Sequence, residues 1–202
     1  MLLFNHFSSL TQVIATLAAL LVAITIHEFA HAWMANYYGD PTAKLMGRLS
    51  FNPLVHLDLI GTIFLLVAGF GWGKPVMVNP NNFKNPKLDN ITVSLAGPMS
   101  NLLLAVILGI ILRFVPLPGN VSSILVIIVF FNLVLMIFNL IPIPPLDGSK
   151  ILSLFISDQA YLVLQQFGIF LLLILILFVN FMPVISRIIS FFFVLITGKA
   201  LL

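Results

Sequence analysis

The chain has 202 residues, 61% of them hydrophobic and 7% charged, against roughly 25% charged in a soluble domain. Nine basic and six acidic side chains cannot cover a water-facing surface, so a soluble globule is excluded, and the mean hydropathy of +1.18 makes lipid the main solvent. The lack of cysteine excludes a disulfide scaffold, the abundance of Leu, Ile, Val and Phe excludes disorder, and the net charge of +3 reads as membrane topology rather than as nucleic-acid binding.

A helix needs about 20 apolar residues to cross the hydrocarbon core. Residues 10–26 qualify and continue through His27 and Glu28 to about Tyr37; their lack of a basic leader and their passage into a polar motif predict a retained helix, not a signal peptide. The polar stretch 36–58 follows, then 59–70, an apolar run of about a dozen residues between Asp58 and Lys74 that is too short to cross upright and reads as re-entrant or steeply tilted. Residues 71–90 are rich in Gly, Pro and Asn around the alternating Val76 and Val78, and both polar stretches read as loops with short strands. Three further spans follow: 91–112 closed by Arg113, the uncharged 121–141, and 161–181 before Pro183. Residues 184–202 cross only if Arg187 snorkels. The expected fold is an all-α polytopic membrane protein, a bundle of about four to six transmembrane segments with a short re-entrant or β-like loop region, forming one domain over 1–202.

The chemistry concentrates in His27-Glu28-Phe29-Ala30-His31. Residues four apart on a helix differ by about 40° in azimuth, so both imidazoles share one face and can grip one Zn²⁺, while Glu28 beside them reaches a water on the metal. Glu28 is the sole glutamate, and an ionisable group at the bilayer centre costs about 2.5 to 3.5 kcal/mol, which argues for a function. The plainer readings are chance occurrence of a short pattern or a metal-free His/Glu hydrogen-bond network. A catalytic zinc needs a third protein ligand, and the candidates are Asp40, Asp58, Asp89, Asp147, Asp158, His6 and His56. Asp147 stands out because it ends the string NLIPIPPLDG at 139–148, where Pro142, Pro144 and Pro145 break a helix at membrane depth, a break tolerated where backbone lines a cavity. A helix stop with a surface Asp-Gly turn explains the string equally well.

Three motifs in order, HEFAH at 27–31, AGPMSN at 96–101 and NLIPIPPLDG at 139–148, resemble the site-2 protease family of intramembrane zinc metalloproteases over roughly residues 20–155. NPLVHLD at 52–58 and GWGKPV at 71–76 are similar to its short bacterial and archaeal members, which lack a PDZ-like insert and a nucleotide-binding regulatory domain. The resemblance implies a catalytic core at about 10–155 followed by C-terminal helices at about 160–202. It implies His27, His31 and Asp147 as zinc ligands, Glu28 as the base, and Asn139 as the polar helper for the substrate carbonyl. The implied activity is hydrolysis of peptide bonds in membrane-spanning or membrane-anchored substrates, as in regulated intramembrane proteolysis.

Around that core, Asn101 and Asn132 are candidates for substrate binding, with an interhelical hydrogen bond as the other use. Val76 and Val78 are candidates to receive an unwound substrate as an added strand, with a loop lying on the membrane surface as the other reading. His56 and Asp58 suit a gate, a second layer behind the metal, or a structural place at the interface, while Trp33, Trp72, Tyr37 and Tyr38 read as interface anchors. The rival function classes are a different membrane zincin, whose third ligand would be a glutamate, and a noncatalytic channel or transporter using the His/Glu/Asp cluster for ions.

One shared ion also fixes topology. The C-terminal ends of the first helix and of 121–141 must meet at one face, with 91–112 running the other way and 59–70 not crossing. Lys44, Arg48, Lys74, Lys84, Lys87 and Lys150 then share a side, opposite Arg113 and Arg187, so the positive-inside bias puts the zinc toward the cytoplasm of a cell membrane, with the N-terminus outside. The expected partners are the bilayer and a transmembrane protein or peptide substrate.

Overall fold

The 28 residues Leu10–Tyr37 form one helix, α1, containing neither Pro nor Gly and rich in Ala and Leu. It stops at Gly39, whose φ of +101° is the left-handed conformation that closes helix ends. The chain is seen here in a computed structural model, which describes residues 10–68, 71, 73–178 and 181–200. Short helices α2 (Thr42–Leu45) and α3 (Leu59–Ala68) follow, then the long α4 (Pro86–Phe114) and α5 (Gly119–Asn139), and finally α6 (Asp158–Phe178) and α7 (Phe181–Thr197). Pro86 opens α4 with the fixed φ a first turn needs, and Asp89 accepts the Asn85 N–H at 2.9 Å. The proline string after Asn139 ends α5.

α1 and α4 lie antiparallel, as their contacts run in opposite directions. Ala23 meets Asn101, Ile26 meets Ser100, and His31 meets Val93. α5 joins them where Asn132 meets Asn101. An apolar core of Ala105, Leu112, Val129, Leu133, Met136, Ile137, Ile189 and Phe193 binds α4, α5 and α7. Gly109 lets Ile196 of α7 touch the α4 backbone, and Arg113 donates to the Leu195 carbonyl at 3.1 Å, so α4 and α7 end side by side.

α1, α4, α5 and α6 are long and apolar enough to cross a membrane, while α7 has 17 residues. α3 has ten, about 15 Å, half the hydrocarbon thickness. The short strands expected in 36–58 and 71–90 do not form among the described residues; one antiparallel bridge joins Leu57 to Gly73. Asn52 and Asn79 instead accept from the N–H two residues on and fold Pro53–His56 and Pro80–Asn82 into 3-10 turns, which Pro53 and Pro80 favour. Expectations at His6, Phe70 and Trp72 lie outside the described residues.

Candidate metal centre

His27 and His31 project from one face of α1 with their rings edge to face, centroids 4.6 Å apart. Their Nε2 atoms lie 3.0 Å from each other and 3.1 and 3.3 Å from Oδ2 of Asp147. Asp147 arrives 120 residues later because the break after α5 turns the chain back; Gly148 permits it, since a Cβ there would collide with the Leu140 carbonyl. Asp147 begins the 3-10 turn Asp147–Leu154, and its Oδ2 is buried with no hydrogen-bond donor.

The far side of each ring decides what this cluster can hold. The Nδ1–H of His27 donates to Asn101 Oδ1 at 2.7 Å, and that of His31 donates to the Val93 carbonyl at 2.8 Å. The Asn101 orientation is itself fixed, because its Nδ2 gives hydrogen bonds to the Ala23 carbonyl and to Asn132 Oδ1, and Asn132 Nδ2 gives one to the Ile128 carbonyl. With the proton held at Nδ1, each Nε2 offers a lone pair. Two lone pairs and a carboxylate oxygen then face each other without a donor, a set that repels itself unless a cation sits among them. Two imidazoles and one carboxylate form a donor set that suits zinc with one open position. Among the described residues, His27, His31 and Asp147 are the group that can share an ion, with ligand atoms all within 4.8 Å.

α4 is shaped for this contact. A Cβ on Gly97 would collide with His31 Nε2 and stand 2.7 Å from His27 Cε1, so only glycine lets the helix pass so close. Pro98, one residue on, has no N–H for the Ser94 carbonyl and so removes a helix hydrogen bond beside Val93, whose carbonyl accepts from His31 Nδ1.

Glu28 is half-buried beside this cluster, and its Oε2 accepts the Val76 N–H at 3.1 Å. Val76 and Val78 lie in a segment without regular secondary structure or ladder partners, so the expected strand does not form there, and Val78 packs against the cluster of Ala35, Phe83 and Val93. Asn139, at the end of α5, gives one Nδ2 hydrogen to the Leu135 carbonyl at 3.0 Å, the local bond an Asn at a helix end readily makes. Asn101 and Asn132, expected at the substrate, are fully buried behind His27 with their polar atoms engaged. His56 is fully buried with its Nε2–H on the Ser50 carbonyl, and Asp58 caps α3 through the Gly61 N–H. Asp40, considered above only as a metal ligand, is buried in a separate hydrogen-bonded cluster with the half-buried Thr42 and the exposed Asn79 and Asn82. The Gly39-Asp40 pair after a long helix was its sole sequence signal.

The family model for peptidase family M50 matches residues 15–119 and 115–182. YwhC of Bacillus subtilis is 47% identical over 143 residues, 66% of this chain and 65% of that protein, so the chain spans just under two thirds of its length. Rip2 of Mycobacterium tuberculosis is 31% identical over 173 residues, covering 81% of this chain and 67% of its own. Zinc metalloprotease MJ0392 of Methanocaldococcus jannaschii is 27% identical over 140 residues, 69% of this chain and 34% of that protein. No solved structure matches. With the motifs, their geometry and these relatives in agreement, the chain belongs to peptidase family M50.

Proposed function

We propose that the chain is a membrane-embedded zinc endopeptidase that hydrolyses peptide bonds of membrane-spanning or membrane-anchored substrates, as in regulated intramembrane proteolysis. The observation that carries this reading is the meeting of the His27 and His31 Nε2 atoms with Asp147 Oδ2 beside the chain's sole glutamate. His27, His31 and Asp147 hold the ion. When bound, zinc polarises the scissile carbonyl and makes water more acidic. Glu28 takes the proton from the attacking water and delivers it to the leaving amine. Its hydrogen bond from Val76 holds the carboxylate in place for that exchange.

A transmembrane helix hides its peptide bonds in its own hydrogen bonds, so a substrate must unwind before it is cut. The segment from Lys74 to Asn79 suits an extended chain, because the Met77 and Val78 N–H groups have no protein partner among the described residues. Asn139 Nδ2 gives one of its two hydrogens to the Leu135 carbonyl, and the second is the one offered to a substrate carbonyl. The protein is multi-pass; a cell-membrane location with the site toward the cytoplasm is supported by the six basic residues Lys44, Arg48, Lys74, Lys84, Lys87 and Lys150, which this topology puts on the site's side.

The test is cleavage of a transmembrane peptide in proteoliposomes by wild type and Glu28→Gln. The variant is expected to keep stoichiometric zinc and lose at least about 100-fold in kcat. Undiminished cleavage, or ion transport that survives without zinc, would overturn the reading in favour of a noncatalytic channel or transporter.

A further inference from the structure

Asp40 touches none of the proposed ligands, yet its carboxylate is fully buried and collects four hydrogen bonds. Its Oδ1 accepts from the Thr42 N–H at 3.1 Å, from Thr42 Oγ1 at 2.5 Å and from Asn82 Nδ2 at 2.7 Å. Its Oδ2 accepts from the Asn79 N–H at 2.7 Å. The Thr42 bonds close the turn after α1. The other two tie that turn to the far end of the segment from Lys74 to Asn79, some forty residues on. The near end is tied separately by the Lys74 N–H on the His56 carbonyl at 2.8 Å and by the bridge between Leu57 and Gly73.

Between these ties one backbone donor has a protein partner among the described residues, the Val76 N–H on Glu28 Oε2. Four residues, Pro75 to Val78, separate the two ties, so the middle has little freedom, and Val76 stands three residues, at most about 10 Å, from Asn79. Slack at Asn79 therefore passes to Val76. We propose that Asp40 is a positioning residue for Glu28: by holding Asn79 it keeps the Val76 N–H on the Glu28 carboxylate. This rests on the reading of Glu28 as the base.

The two jobs of Asp40 separate at atomic level. An asparagine at 40 keeps one oxygen, and the three donors at Oδ1 claim it. Its NH₂ then faces the Asn79 N–H, donor against donor. Asp40→Asn thus keeps the Thr42 turn and the Asn82 tie and releases the Asn79 N–H alone, whereas Thr42→Val weakens the turn and leaves Asn79 and Asn82 tied.

The experiment measures amide hydrogen exchange at Val76 and Asn79 by NMR, together with kcat, KM and zinc content, on the full chain in lipid. Asp40→Asn is expected to lose at least tenfold in exchange protection at both amides and about tenfold in kcat, with KM within twofold and zinc unchanged. Thr42→Val is expected to retain protection at both amides and the wild-type kcat. Val76→Pro removes the N–H itself, so Asp40→Asn should cost no further kcat in that background. Unchanged protection at Val76 in Asp40→Asn, or additive losses in the double variant, overturns the proposal. Exchange needs no turnover, so a wild-type chain that cleaves nothing would refute the base reading while the Asp40 to Val76 coupling is still decided by the amides.

Discussion

A histidine takes a cation only through a nitrogen without a proton, so the residues that settle this site stand behind the rings. Asn101 holds the His27 proton at Nδ1 and is itself held by Ala23 and Asn132. Asn101→Leu removes that hold and is expected to weaken zinc binding about 10- to 100-fold in a chelator competition. It also leaves the buried Asn132 Oδ1 without its donor, at a cost of about 1–3 kcal/mol. His27, Glu28 and His31 were legible in the sequence because the helical period alone sets them on adjacent positions. The place of Asn101 was not, since a polar side chain in an apolar helix faces either a substrate or a neighbouring helix, and its partner His27 lies 74 residues away. The same reason hid Asp40, whose partners Asn79 and Asn82 come 39 and 42 residues later.

The long helices follow from apolar runs, and the observed bounds of α3 to α7 lie within about five residues of the runs that predict them; α1 continues through the HEFAH motif as expected, while the one-turn α2 falls in a stretch read as loop with short strands. The segments between them were less legible, because Pro and Asn chemistry diverted expected strands into 3-10 turns and left 74–79 held at Val76 and Asn79 by side chains rather than by a sheet. That dependence on side chains makes the segment sensitive to pH. Burial of Asp40 raises its pKa, but the hydrogen bonds from Thr42, Asn79 and Asn82 outweigh this and hold it below the usual value of 3.8. A carboxyl depressed on folding stabilises the fold fully above its unfolded pKa, and that contribution is lost as pH falls through the folded one. Exchange protection at Asn79 is thus expected to be steady from pH 7 to about 5 and to fall below about 3.8, with Asp40→Asn showing no such step.

For the whole molecule, convergence of the ligands requires α1 and α5 to point the same way with α4 between them in reverse, the arrangement observed. The order of motifs and the shortness of α3 make this legible in the sequence, whereas the docking of α7 beside the end of α4 depends on Gly109 and Arg113, whose partners no local pattern reveals. Sidedness can be tested directly, since the chain has no cysteine. On intact cells an impermeant maleimide is expected to label Val115→Cys and to spare Lys84→Cys; the reverse pattern would put the site outside. The most direct probe of the convergence itself is the zinc K-edge X-ray absorption spectrum of the purified protein. Two imidazole nitrogens and at least one oxygen should appear at about 2.0–2.2 Å, with the ion lost or its shell altered in Asp147→Ala. A protein that takes up no zinc, or one whose zinc shell is identical in Asp147→Ala, would contradict a shared ion at His27, His31 and Asp147.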